Sequence, residues 1–175
     1  VDLGDEASVA RYYASLAETG AIEASIHLVG GFTMAPVEAT SAADVDRMMR
    51  LNALTCFLCC REATRWMRHT GGGRIVNVTA RPAVQPSGGM LAYSMSKAAV
   101  ANLTQALADE VRGDNILVNA VIPSIMDTPA NRAAMPDADV DLWPKVEQVA
   151  ETIAYLASTA NALTSGALVP VYGRM

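Results

Sequence analysis

Between Arg74 and Lys97 the sequence changes hydrophobic period once, and that change restricts the fold more than any other feature. Arg74-Ile75-Val76-Asn77-Val78-Thr79 alternates and is rich in β-branched residues, the pattern of a buried strand. After a Pro/Gly-containing link, residues 91–111 place Ala, Leu and Val on several faces of one long helix. The same alternation runs along the rest of the chain. A short amphipathic helix over 7–16 precedes a strand over 24–29, and 41–68 is the longest helical pattern. A near-continuous apolar strand over 117–122, typical of a buried parallel sheet, follows, then a helix over 146–156 and a short strand over 167–171. The order β-α-β-α-β-α-β predicts an α/β, doubly wound parallel sheet forming a single domain over residues 1–175.

Composition narrows the function. With 51% hydrophobic and 18% charged residues, the 175-residue chain can bury a real core and is not a disordered polymer. A net charge of −5 argues against nucleic acid or an anionic membrane as the main partner. No apolar run reaches the ~18 residues of a membrane helix. No secretory n-region and h-region open the chain, so a cytoplasmic location is expected. The first residue is Val1 rather than Met, so the expectation is that the native N-terminus lies upstream. Cys56, Cys59 and Cys60 share one helical stretch. Their odd count and clustering do not make a disulfide framework, and no second ligand pair is apparent. The expectation is packed thiols in a reducing compartment and no metal site.

Local signals punctuate this pattern. Asp5 is placed to cap the first helix, and Thr40 or Ser41 the second. Gly30-Gly31 ends a strand, which reads either as an ordinary turn or as a place where a ligand approaches the backbone. His27 reads as a core or turn histidine. Gly71-Gly72-Gly73 precedes a strand, whereas a phosphate-cradling loop follows one, so it is a turn. Residues 128–146 lack clean periodicity and read as a mobile loop.

Two residues carry the chemistry. Tyr93 and Lys97 are four apart, on one helical face. An ammonium beside a phenol favours the phenolate and lowers the tyrosine pKa from about 10, giving a usable proton donor. A bare Tyr-x-x-x-Lys is also an ordinary exposed pair, so the surroundings decide. Asn52 lies mid-helix, where asparagine is a poor helix former, either bonded to backbone or serving the site.

The run Gly73-Arg74-Ile75-Val76-Asn77-Val78 followed by Tyr93-x-x-x-Lys97 resembles the short-chain dehydrogenase/reductase family. Within it, residues 126–166 resemble dihydropteridine reductases through Asp127-Thr128-Pro129, Asn131-Arg132, Met135-Pro136, Ala138-Asp139, Trp143, Glu151-Thr152 and Ser165-Gly166. The resemblance implies a Rossmann-like fold, NAD or NADP as cofactor, and hydride transfer to a C=O or C=N group of a small, pterin-like substrate. It implies Tyr93 as proton donor, Lys97 as the residue that orients the ribose, and Asn52 as holder of a relay water. It places Asp2 against the adenine, although a lone Asp there also reads as a turn residue. It places Gly30 beside the cofactor, and Pro123, Ile125 and Thr128 at its nicotinamide end. Met135 and Trp143 either line the substrate site or pack. Helices 41–68 and 91–111 would supply a homodimer or homotetramer interface.

The chain departs from the pattern in three places. Ala80 stands thirteen residues before Tyr93, where the family carries a catalytic serine; dihydropteridine reductases also have alanine there. Thr79 is its neighbour, but one residue along a strand points to the opposite face. His27-Leu28-Val29-Gly30 replaces Asn-Asn-Ala-Gly, keeping only the glycine. The family's N-terminal β-α-β-α-β portion, with its glycine-rich fingerprint and the residues that choose NAD or NADP, does not occur in these residues. That portion pairs beside the 24–29 strand, so an open strand edge is expected. The rival expectation is a non-catalytic or truncated homologue acting as an oligomerising scaffold.

Overall fold

The computed structural model describes residues 1–175. Four strands, β1 (Ala24–His27), β2 (Gly73–Val78), β3 (Ile116–Pro123) and β4 (Leu168–Val171), form one parallel sheet in the order β1-β2-β3-β4. The helices are α1 (Glu6–Ala17), α2 (Ala42–Met48), α3 (Thr55–Thr70), α4 (Arg81–Val84), α5 (Leu91–Glu110), α6 (Pro129–Ala134) and α7 (Val146–Ala157). The expected alternation is present.

The strand period of two divides the core. Ile75 of β2 packs in one cluster with Val9, Leu58, Met67, Val100 and Val118, which brings α1, α3 and α5 to one face. Val76, the next residue, packs with Val121, Val149 and Leu156 under α7 on the other. Each strand is added on the same side of the last, yet α7 covers the face opposite α3 and α5. The third crossover therefore has the opposite hand to the first two. Parallel crossovers are right-handed almost without exception. Residues 124–145, which precede α7, give the chain length to change face.

Three sequence expectations are refined. The 41–68 helix exists as α2 and α3 joined by a π-helical turn at Met49–Leu54. Ser41 caps it reciprocally: Asp44 N donates to Ser41 Oγ (3.2 Å), and Ser41 N donates to Asp44 Oδ2 (3.1 Å). The first strand leaves the ladder at His27, two residues early. Residues 128–146 are not featureless. Thr128 Oγ1 accepts from Asn131 N and caps α6, with Pro129 in its first turn, and Val140–Leu142 forms a 3₁₀ turn. A six-residue helix is too short to show a period, but its Thr-Pro start is a readable cap. β1 is an edge strand, paired on one side only, as expected.

Candidate active site

In an open parallel sheet, ligands bind outside the carboxyl ends of the strands. Here the segments leaving β1 and β2 converge on the first turns of α5. Lys97 is buried, and its Nζ donates to the Val78 carbonyl (2.9 Å). Thr79 Oγ1 donates to the Lys97 carbonyl (2.7 Å). These two bonds staple α5 to the end of β2. The second also commits the Thr79 hydroxyl to helix backbone, so it does not stand in for the serine missing at Ala80.

Asn52 is 1% exposed and sits in the π-helical turn. Its Nδ2 donates to Gly31 O (3.1 Å) and Ser96 Oγ (2.9 Å), and its Oδ1 accepts from Gly31 N (2.8 Å). Ser96 Oγ in turn donates to the Tyr93 carbonyl (2.7 Å). One amide thus ties the exit of β1, the α2–α3 segment and α5 together. The backbone-bonded reading of Asn52 is the one these bonds show. π-Turns shift the facing of every residue after them and concentrate at functional sites. No residue pattern in 41–68 announces one.

Gly30 explains its own identity. A Cβ on it would lie 2.6 Å from Asn52 Oδ1 and 3.2 Å from Lys97 Nζ. Three of the expected site residues, Gly30, Asn52 and Lys97, are therefore brought into one cluster, and the two polar side chains exclude any larger residue.

Tyr93 lies on the same helix, one turn before Lys97, with Phe32 edge-on to its ring at 4.9 Å between centroids. Its electrostatics correct the expectation. Burial pushes the Tyr93 phenol up to about 12 and drives the Lys97 ammonium down. Lys97 Nζ faces the Val78 carbonyl, and nothing offsets the cost of charging a buried phenol. Tyr93 is accordingly held protonated at neutral pH.

The remaining candidates make no hydrogen bond to this cluster. Asp2 is exposed; its Oδ1 accepts from Gly4 N (2.9 Å) and its N donates to Ser8 Oγ (3.0 Å), a turn role. Pro123 ends β3 and is buried, and Ser124 Oγ donates to the Tyr172 carbonyl (2.9 Å), tying this corner to the exit of β4. Ile125 follows, and Thr128 caps α6. The sequence marked Asp127 only as part of a matching run, not as a site residue. Its carboxylate accepts from Arg132 Nε (2.5 Å) and Nη2 (2.8 Å) and from Lys145 Nζ (2.6 Å), and its N donates to Pro144 O (3.0 Å). The two cations hold this carboxyl well below the usual carboxylate range. They close the neck of the 127–145 segment. Trp143 is 5% exposed, so it packs, while Met135 is half-buried.

The cysteines are buried, as expected, but they have company from β1. His27 Nδ1 lies 2.8 Å from Asn77 Oδ1, 3.5 Å from Cys60 Sγ and 4.0 Å from Cys56 Sγ, and its Nε2 lies 2.8 Å from Ser25 Oγ. Hydrogen bonds from Cys60 and His27 pull the Cys56 thiol below its ordinary range. These donors and acceptors satisfy one another, and His27 is half-buried at the end of β1. The residues are 29 and 33 positions apart, a pairing no local motif reveals.

A parallel α/β sheet with a Tyr-x-x-x-Lys helix at its carboxyl edge defines the class of Rossmann-like nicotinamide-nucleotide proteins. The model of the family described as "short chain dehydrogenase" matches residues 1–139, and the chain belongs to that family. It is 36% identical over 143 residues to a short-chain type dehydrogenase/reductase of Picea abies, covering 77% of this chain and 53% of that one. It is 32% identical over 182 residues to the cis-4-hydroxycyclohexanecarboxylate dehydrogenase of Sinomonas cyclohexanicum, covering 98% of this chain and 73% of that one. The chain thus spans about half to three quarters of the length of these curated relatives. Among solved structures, a gluconate 5-dehydrogenase from Burkholderia cenocepacia J2315 in complex with NADP and tartrate superposes with a TM-score of 0.91. It is 25% identical, with 99% of this chain and 72% of that one covered.

Proposed function

We propose that the protein is an NAD(P)H-dependent oxidoreductase acting on a C=O or C=N group of a small molecule. The observation that carries this reading is the convergence of Lys97 Nζ and Asn52 Oδ1 on the bare Cα of Gly30, at the carboxyl edge of the sheet and one turn from Tyr93. The fit to a nicotinamide riboside is chemical. Lys97 Nζ makes one hydrogen bond, to Val78, and keeps two N–H groups for ribose hydroxyls. Gly30 lets a ring approach the backbone.

A nicotinamide nucleotide held beside Gly30 and Lys97 would supply or accept the hydride. Tyr93, protonated at neutral pH, gives its proton to the substrate heteroatom during reduction, so that a carbonyl plus hydride plus proton becomes an alcohol. Lys97 would orient the ribose through the N–H groups that Val78 leaves free. Asn52 fixes the geometry of Tyr93 and Lys97 and, in this reading, supports reprotonation through a water on Lys97. Asp2 would contact the adenine of the nucleotide, and the backbone over Pro123–Ile125 with Thr128 would hold its nicotinamide end.

The narrower reading, a quinonoid dihydropterin as acceptor, rests on Ala80 and on the 126–166 run. Such an acceptor depends less on a serine donor than a simple ketone does. The assembly proposed is a homodimer or homotetramer through α3 and α5, where Phe57 is 44% exposed, in the cytoplasm. Ala80 also favours a second reading, a non-catalytic binding protein of the same family. Calorimetric titration of NADH and NADPH into the protein as its gene encodes it, with Lys97→Ala as comparison, tests the proposal. Binding that Lys97→Ala weakens about tenfold or more, as loss of charge-assisted hydrogen bonds requires, supports it. No binding of either nucleotide rejects it.

A further inference from the structure

We propose that Arg81 is a subsite for a carboxylate carried by the substrate; this rests on the oxidoreductase reading of the Tyr93 site. Arg81 directly follows Ala80 and opens α4, which packs against α5, the helix that carries Tyr93. Its guanidinium carbon lies 5.0 Å from the centroid of the Tyr172 ring. Its Nε donates to Gln85 Oε1 (2.8 Å). Tyr172 follows β4, and its carbonyl is held by Ser124 at the β3 corner. The guanidinium therefore stands at the carboxyl edge of the sheet, where the exits of β2, β3 and β4 are tied together. Ligands of parallel sheets bind at this edge.

The two contacts fix the plane of the guanidinium and use only Nε. Both Nη groups, with four N–H bonds, meet no protein acceptor, and no carboxylate pairs with this residue. Arg47, Arg61, Arg65, Arg68, Arg112 and Arg132 each pair with an acidic side chain, and Arg74 donates to the carbonyls of Asn161 and Gly73. Arg11, Arg50 and Arg174 also lack a side-chain partner, but of the unpaired arginines Arg81 alone lies over an aromatic ring.

A planar fork with free Nη groups matches the two oxygens of a carboxylate. Stacking on Tyr172 holds it ready, so little rotamer entropy is lost on binding. The nicotinamide ring and ribose, the part of the cofactor that the Gly30–Lys97 cluster fits, carry no anion of their own, and the proposal assigns the fork to a substrate carboxylate rather than to the phosphates beyond that ribose. The arrangement also answers Ala80. Without a serine hydroxyl on the substrate oxygen, a second attachment point away from the reacting carbon orients that carbon for transfer. The substrate class is a ketone or secondary alcohol bearing a carboxylate.

The test uses the protein as its gene encodes it, with NADPH or NADH, and methyl-ketone carboxylates from levulinate upward, each paired with its methyl ester. The wild type should prefer at least one acid over its ester by about 10- to 100-fold in kcat/KM, the scale of one charge-assisted bidentate pair. Arg81→Gln should bring that preference close to one, through KM of the acid, and Arg81→Lys should restore part of it. Tyr172→Leu, which keeps the charge and removes the stack, should lower the preference less. Equal use of acids and esters by the wild type overturns the subsite, as does a preference that Arg81→Gln leaves intact. Tyr93-dependent turnover of the esters in that case leaves the oxidoreductase reading standing. No Tyr93-dependent turnover of either series overturns both.

Discussion

The Tyr93 cluster and the 127–145 segment lie at the same edge of the sheet but are held by different physics. Around Tyr93 the ties are short-range and uncharged on one side: Asn52 to Gly31 and Ser96, Thr79 to the Lys97 carbonyl, Lys97 to the Val78 carbonyl. All are buried or part-buried, and bonds of that kind are insensitive to salt and allow one geometry. The 127–145 segment is closed instead by Asp127 with Arg132 and Lys145, whose cationic side chains are half exposed. Charge pairs at a surface are screened and loosened by salt or acid. The contrast assigns rigidity to the residues proposed to transfer the proton and adjustability to the segment over 127–145. Reactive groups need placement to a fraction of an ångström, whereas a segment that admits and releases substrate must open.

The variants that break this contrast are ordered by size. Gly30→Ala forces a methyl against Asn52 Oδ1 and Lys97 Nζ. It should lower turnover by about 10²-fold or more, the scale of a 1 Å misplacement. It should also cost about 1–3 kcal/mol of stability by disturbing buried polar groups. Steady-state kinetics and thermal unfolding check both. Ala80→Ser should raise kcat/KM for simple ketones by about tenfold, since a positioned donor to the reacting oxygen is worth up to ~10²–10³. Unchanged ketone kinetics would show that residue 80 does not face the substrate oxygen.

Asp127→Asn should raise KM a few-fold with kcat little changed, because it frees the neck of the segment without touching the reacting groups. The smallest effect is one of pH. Arg132 and Lys145 lower the Asp127 pKa in the folded state, so its contribution is complete above the unfolded carboxylate value of about 4. It is lost as pH falls from there through the lower folded value. Fluorescence of Trp143 in a Trp66→Phe background should report this acid transition, and Asp127→Asn should abolish it while leaving the neutral-pH fold in place.

What the sequence made legible follows from range. Period and caps are local, so the four strands, the long helices and the Asp5 and Ser41 caps were readable from a few neighbours each. Tyr93 and Lys97 were readable as neighbours because they lie four residues apart on one helix. The π-helical turn was not, because it is a one-residue change of phase that leaves composition untouched. Nor was the facing of Lys97: position 97 shares a helical face with 93, yet the Lys97 ammonium bonds to the end of β2. Asp127 with Lys145, and His27 with Cys60, join residues far apart in sequence, and only the fold brings them together.

The most direct measurement is NAD(P)H oxidation by wild type and Tyr93→Phe, followed alongside nucleotide binding, across ketones, their oxo-acid counterparts and a quinonoid dihydropterin. The account predicts turnover of at least one acceptor by the wild type. It predicts a loss of about 10²-fold or more in Tyr93→Phe, the lower end of what a general acid contributes, with nucleotide affinity retained. Equal turnover by the two proteins would contradict it.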